Sequence, residues 1–175
     1  MRRLLFILTF ISAIAFSANA QKSTSDSKQI KVSVAGDIGI TLGDYSAFSV
    51  LTYGGDVQGE YDLSSKFGIT LSGGFLSLSD RFNEVSLPSF LPVLAGARYY
   101  FLHNIYASLQ AGTSFIIQPR NTTYALSTGQ GNEFTFAPGI GYQFSKNIDV
   151  LFKYQSSNKN GINFSFSGLR IAYVF

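Results

Sequence analysis

The sequence predicts an all-β fold, an eight-stranded antiparallel up-and-down transmembrane β-barrel, on three observations. Apolar and polar residues alternate with period two in about eight segments. The connections between those segments are short on one side and mostly longer on the other. Charges inside the segments all fall on one face, opposite the bulky apolar residues.

The N-terminal region has a different pattern. Met1-Arg2-Arg3 is a basic start, Leu4 to Phe16 is an apolar run, and Ser17-Ala18-Asn19-Ala20 supplies small residues. The run is shorter than the roughly 20 residues a spanning helix needs. Residues 1–20 therefore read as a secretory signal peptide, cut between Ala20 and Gln21. Residues 21–29 are polar without an apolar period and read as a disordered leader, and the barrel occupies 30–175. Without Arg2 and Arg3 the 13 basic residues become 11, against 10 acidic ones. A balance this close to neutral points to no nucleic-acid partner. With no Cys, the fold is held by packing and backbone hydrogen bonds.

The strands follow in order. In 30–40, Ile30, Val32, Val34, Ile38 and Ile40 alternate with Lys31, Ser33, Ala35, Asp37 and Gly39. In 50–61, Val57 and Tyr61 oppose Asp56, Gln58 and Glu60; in 67–78, Phe67, Ile69, Leu71 and Phe75 oppose Gly68, Thr70 and Ser72. Segment 91–101 sets Val93, Tyr99 and Phe101 against Gly96 and Arg98. Segment 105–116 sets Ile105, Leu109 and Phe115 against Ser108, Gln110 and Gly112. In 133–144 the bulky phase is Phe134, Phe136, Ile140, Tyr142 and Phe144, and in 148–156 it is Ile148, Val150, Phe152 and Tyr154, opposite Asp149 and Lys153. In 163–175, Leu169, Ile171, Tyr173 and Phe175 flank Arg170.

Two places break the pattern. Pro138 sits mid-strand without a backbone donor, and Gly139 and Gly141 leave room for a bulge there. In the last segment Phe164 and Phe166 are even and Leu169 onward is odd. That predicts a bulge near Ser167-Gly168, or places both Phe residues above the bilayer.

Turns 62–66, 102–104 and 145–147 are short, whereas 41–49, 79–90, 117–132 and 157–162 are mostly longer. This wiring puts both ends of the barrel on the short-turn side, expected to be periplasmic. Nine strand charges lie on the small phase: Lys31, Asp37, Asp56, Glu60, Arg98, Glu133, Asp149, Lys153 and Arg170. Lipid imposes this, because a charge at the bilayer midplane costs roughly 2–4 kcal/mol. A soluble periplasmic barrel binding a hydrophobic ligand would also sort its charges, with the bulky face inward. Its exterior would then be crowded with charge, whereas this polar face is mainly Gly, Ser, Thr and Gln. A narrow interior is also expected to exclude so many aromatics. Tyr61, Phe67, Tyr99, Phe101, Tyr142, Phe144, Tyr173 and Phe175 form one expected interfacial girdle. Phe48, Phe75, Phe90, Phe115, Phe134, Tyr154 and Phe164 form the other.

Glu60, Arg98, Asp149 and Arg170 should share the periplasmic half of the lumen and pair there as structural charges, since an unpaired buried charge is costly. A proton or ion path is the sharper alternative. The chain has one His, His103, placed in a short turn. A lipid-modifying enzyme of the outer membrane would need a base and nucleophile at the loop end, so no catalytic residue is assigned. The ligand types present give no metal or cofactor site. Loops 79–90 and 117–132 are the remaining candidates for contact with a surface partner.

Three segments carry a resemblance. Leu91-Pro92-Val93-Leu94-Ala95-Gly96-Ala97-Arg98-Tyr99-Tyr100-Phe101 resembles the fourth strand of the outer-membrane β-barrel domain common in Bacteroidota. Phe136-Ala137-Pro138-Gly139-Ile140-Gly141-Tyr142 resembles its sixth strand, and Gly168-Leu169-Arg170-Ile171-Ala172-Tyr173-Val174-Phe175 its closing strand. More loosely, residues 30–175 are similar to the OmpA and OmpX barrels and to PorT-like proteins. The resemblance implies recognition by the barrel-assembly machinery, with Tyr173 and Phe175 as the signal. The expected protein is an integral, monomeric, non-enzymatic outer-membrane barrel with no open pore and a structural or surface-interaction role.

Overall fold

A strand that faces lipid on one side and a packed lumen on the other cannot slip by one residue, because every side chain would change medium. The computed structural model, which describes residues 30–80, 87–117, 132–159 and 161–175, has eight strands in matching register. The expected signal peptide and leader, residues 1–29, lie outside the described residues, as does most of loop 117–132 and the middle of loop 79–90.

The strands are β1 (Ile30–Gly43), β2 (Ser49–Ser64), β3 (Phe67–Asp80), β4 (Ser89–Tyr100), β5 (Ile105–Ile117), β6 (Asn132–Gln143), β7 (Ile148–Lys159) and β8 (Ile162–Val174). Each pairs antiparallel with its sequence neighbours, and β8 returns to β1 to close the barrel. The closing seam runs unbroken from Ser33 opposite Val174 to Gly43 opposite Phe164. Closure leaves no sheet edge, as a membrane-spanning sheet requires.

Two of the short turns use the same device. Ser64 Oγ accepts from the backbone N of Phe67 at 3.1 Å, and Ser145 Oγ accepts from that of Ile148 at 3.1 Å. The serine hydroxyl substitutes for a backbone acceptor where the chain reverses. At the opposite end, Gly43 takes φ +74° and opens a 3-10 turn, Asp44–Ala47, between β1 and β2. That sign of φ favours glycine.

The outer surface is apolar over the height of the barrel. Leu71, Leu109, Ile140, Phe152 and Ile171 are all exposed, Leu109 at 59%. At the short-turn end the aromatic row Tyr99, Phe101, Tyr142, Phe144, Tyr173 and Phe175 is also exposed. The small-phase charges face inward: Asp37, Glu60, Arg98, Glu133, Asp149, Lys153 and Arg170 are buried.

Both irregularities read from the sequence are corrected. β6 pairs with β5 through Pro138 without a shift. The register with β7 is the same on both sides of Ala137-Pro138, where pairing simply lapses. The missing donor costs ladder contacts but inserts no bulge. The register of β8 is likewise unbroken against both β7 and β1. Phe164 and Phe166 keep the inward phase of Arg170 and are buried in the lumen, with no bulge. Phe90 and Phe164 therefore leave the expected loop-end girdle. Irregularities occur instead near both ends of β2, between Ser49 and Leu51 and between Asp62 and Ser64.

Candidate functional site

The lumen has two layers, and sequence position determines which residues enter each. The layer near the short turns is ionic. Arg98 Nη1 lies 2.9 Å from Glu60 Oε2, and Arg98 Nη2 lies 3.0 Å from Asp149 Oδ2. Arg170 grips Asp56 through two bonds of 2.8 Å, from Nε and Nη2, and Nη2 also donates to Ser33 Oγ at 3.1 Å. Two parallel charge-assisted bonds fix geometry as well as charge. Arg170 Nη1 reaches within 3.7 Å of Asp149 Oδ2, joining the two groups. Lys153 Nζ pairs with Asp37 Oδ1 at 2.8 Å. At the mouth, half-buried Lys31 pairs with Asp62 at 2.7 Å.

Most of these links skip a strand, and small residues allow it. Glu60 on β2 meets Arg98 on β4 across Gly68 of β3, where an added Cβ would come 2.9 Å from Glu60 Oε1. Lys153 on β7 reaches Asp37 on β1 past Gly168 of β8. Tyr106 on β5 crosses Gly141 of β6 to donate to Asp149 Oδ1 at 2.6 Å. A Cβ on Gly141 would meet the Tyr106 ring at 2.1 Å. Glycine in these strands clears a path for a neighbouring side chain.

All four charges named from sequence, Glu60, Arg98, Asp149 and Arg170, thus lie in one connected network. Sequence reasoning did not assign Asp56, Asp37 and Lys153 to it, although their inward phase was legible. It also missed two tyrosines. Tyr100 donates to Glu60 Oε1 at 3.0 Å, and the Tyr106 ring lies under the Arg98 guanidinium, 4.4 Å from Cζ. Their even numbering, in phase with Arg98 and Gln110, was the available signal.

The layer toward the longer loops is apolar and aromatic. Tyr45 of the 3-10 turn, Leu76, Leu78, Phe90, Phe164 and Phe166 form one buried cluster. Phe90 and Phe164 stack at 4.2 Å, and Tyr45 meets both edge-on at 6.0 and 5.9 Å. Asp44 Oδ2 accepts from Asn163 N at 2.8 Å, holding the turn against β8. Beside this cap, with Ser157 paired directly opposite Phe164, Ser114, Thr135 and Ser157 link through hydroxyl contacts of 2.7 Å across three strands. Gln110 Nε2 lies within 3.2–3.4 Å of Gln58, Thr70 and Ser72 oxygens.

His103 is exposed in the β4–β5 turn, at the opposite end of the barrel from the aromatic cap. Among the described residues, no group of three or more His, Asp or Glu is arranged to hold a metal ion. Tyr173 and Phe175 point outward, with ring centroids 5.1 Å apart. The Phe175 backbone N still donates to Val32 O at 2.9 Å.

Comparison with known proteins agrees with this architecture. The family described as outer membrane protein beta-barrel domain matches residues 8–175. No curated protein matches the chain. Among solved structures, the N-terminal β-barrel domain of Pseudomonas aeruginosa OprF is similar at TM-score 0.53 and 18% identity, covering 85% of this chain and 100% of that one. The Ail attachment invasion locus protein of Yersinia pestis is similar at TM-score 0.56 and 13% identity, covering 83% and 97%. Neisserial surface protein A is similar at TM-score 0.54 and 9% identity, covering 85% and 99%. At these identities the likeness is one of fold.

Proposed function

The chain belongs to the outer membrane protein β-barrel domain family, and we propose that it serves there as a non-enzymatic, closed barrel with a structural or surface-interaction role. The observation that carries this reading is the lumen, filled by the ionic network at one end and the aromatic cap at the other. An eight-stranded barrel has an interior only wide enough for side chains, and here large ones occupy both layers. The network charges are structural in this reading, each offsetting a neighbour's burial cost. In planar bilayers the purified chain should give no sustained current. A steady ohmic conductance would contradict the reading.

Several finer points belong to the same proposal. Residues 1–20 act as the signal peptide, so N-terminal sequencing of the mature protein should begin at Gln21. The motifs of β4, β6 and β8 support reading the chain as a Bacteroidota-type barrel. Tyr173 and Phe175 are the assembly signal, and Phe175→Ser should lower the folded yield in the outer membrane without changing expression. Loops 79–90 and 117–132 are the surfaces offered to a partner. Ail is an attachment invasion locus protein with a structure in complex with the heparin analogue sucrose octasulfate, which supports a surface role for a barrel of this shape. The competing enzyme reading predicts that deleting the gene changes the lipid A mass spectrum; the present reading predicts no change.

A further inference from the structure

Gln155 on β7 faces the lumen with 1% exposure, and neither Oε1 nor Nε2 has a hydrogen-bond partner among the described residues. A buried amide in that state is costly, and native structures rarely leave one unmet. The side chain lines a lumenal chamber of about 10 Å³, shared with Asp37, Asp56, Ser72, Gln110 and Lys153. Space of about 10–15 Å³ by this measure accommodates one water, provided two to four polar groups surround it.

We propose that this chamber is a hydration site for a single water molecule, held between the Gln155 amide and the Asp37–Lys153 ion pair. The donors and acceptors match. The water donates to Gln155 Oε1 and to the Asp37 carboxylate, and accepts from Gln155 Nε2 or Lys153 Nζ. It thereby completes the polar half of the lumen where that half meets the aromatic cap. Gln155 is paired across the sheet with Phe166, whose ring lies 5.5 Å from Lys153 Nζ. Leu76 of the aromatic cluster and Asp56 of the Arg170 clamp both line the chamber, and with Gln155 only 1% exposed the water should exchange slowly with bulk. A metal cation is disfavoured because the Lys153 ammonium already supplies the positive charge beside Asp37.

The test is magnetic resonance on the isotopically labelled, folded chain in lipid nanodiscs. Cross-peaks between water and the Gln155 side-chain amide protons are expected, of opposite sign in laboratory-frame and rotating-frame experiments as for a long-lived bound water. They should be absent in Gln155→Leu, with folding of both proteins checked by heat-modifiable migration. A folded wild-type barrel whose Gln155 amide shows no water cross-peak overturns the proposal, and this arm needs no variant to fold. Replacing sodium chloride by choline chloride at equal ionic strength should leave the urea midpoint of the wild type unchanged. A sodium-specific shift would assign the chamber to a cation and also overturn it.

Discussion

Arg98 and Glu60 meet at 2.9 Å although 38 positions separate them and their strands do not pair. The strand between them carries Gly68 at the crossing. The contact therefore needs three adjacent strands and cannot form in an isolated hairpin. It places an ion pair across a strand wall, with Asp149 reached from the far side of the lumen.

Removing Arg98 would take from both Glu60 and Asp149 their nearest buried cation, leaving them the Tyr100 and Tyr106 hydroxyls. Breaking one side of a buried pair costs about 3–5 kcal/mol. Arg98→Leu should lower unfolding stability by that order in urea titrations of the lipid-reconstituted barrel. Glu60→Gln should cost less, because Arg98 keeps Asp149. Equal stability of Arg98→Leu and wild type would mean that the network is not maintained in the folded protein.

The Lys153–Asp37 pair allows a cleaner separation. Asp37→Asn and Lys153→Met each leave one buried partner, and the double variant leaves none. A double-mutant cycle should give a coupling of about 0.5–3 kcal/mol, with the double variant more stable than the sum of singles implies. Strict additivity would show that the two groups do not interact.

Glycines on the crossed strands should differ in tolerance. A Cβ at Gly141 meets the Tyr106 ring, whereas one at Gly68 meets the flexible end of Glu60. Gly141→Ala should cost about 1–3 kcal/mol as overpacking, and Gly68→Ala less. Ultraviolet difference spectra of Tyr106 should shift only in the Gly141 variant. If the two substitutions cost the same, the clearance argument fails.

In the aromatic cap, Phe166→Ala should destabilise by about 3–5 kcal/mol, the range for a buried aromatic truncated in a packed interior. A surface-level cost under about 0.5 kcal/mol would show that the cap is not packed. Chemical denaturation monitored by tyrosine fluorescence distinguishes these.

Much of this was legible in the sequence. Period-two alternation located the eight strands, because each face of a spanning strand meets a different medium. The sorting of charge identified the lumen face, and Glu60, Arg98, Asp149 and Arg170 were named from depth alone. The aromatic cap was not legible, for a physical reason. Phe164, Phe166 and Phe90 occupy inward positions on a face that is otherwise mostly small or polar, whereas bulk in a spanning strand ordinarily marks the lipid side. What packs them is three-dimensional: Tyr45 folds in from the β1–β2 connection and meets Phe90 and Phe164 edge-on. Tyr106 escaped notice likewise, since only the register of β5 against β6 brings Gly141 beneath its ring. The phase of β8 never changes; its chemistry does.

The central claim is that alternate positions of each strand meet lipid and lumen; in β5 the odd positions face lipid and the even ones the lumen. The chain has no Cys, so single-cysteine labelling needs no background removal. A fluorophore attached through Leu109→Cys should be strongly quenched by brominated acyl chains, and one through Ser108→Cys or Gln110→Cys should not, with the alternation continuing at Ala107 and Ala111 of β5. Equal quenching at neighbouring positions, or the reversed phase, would contradict the account.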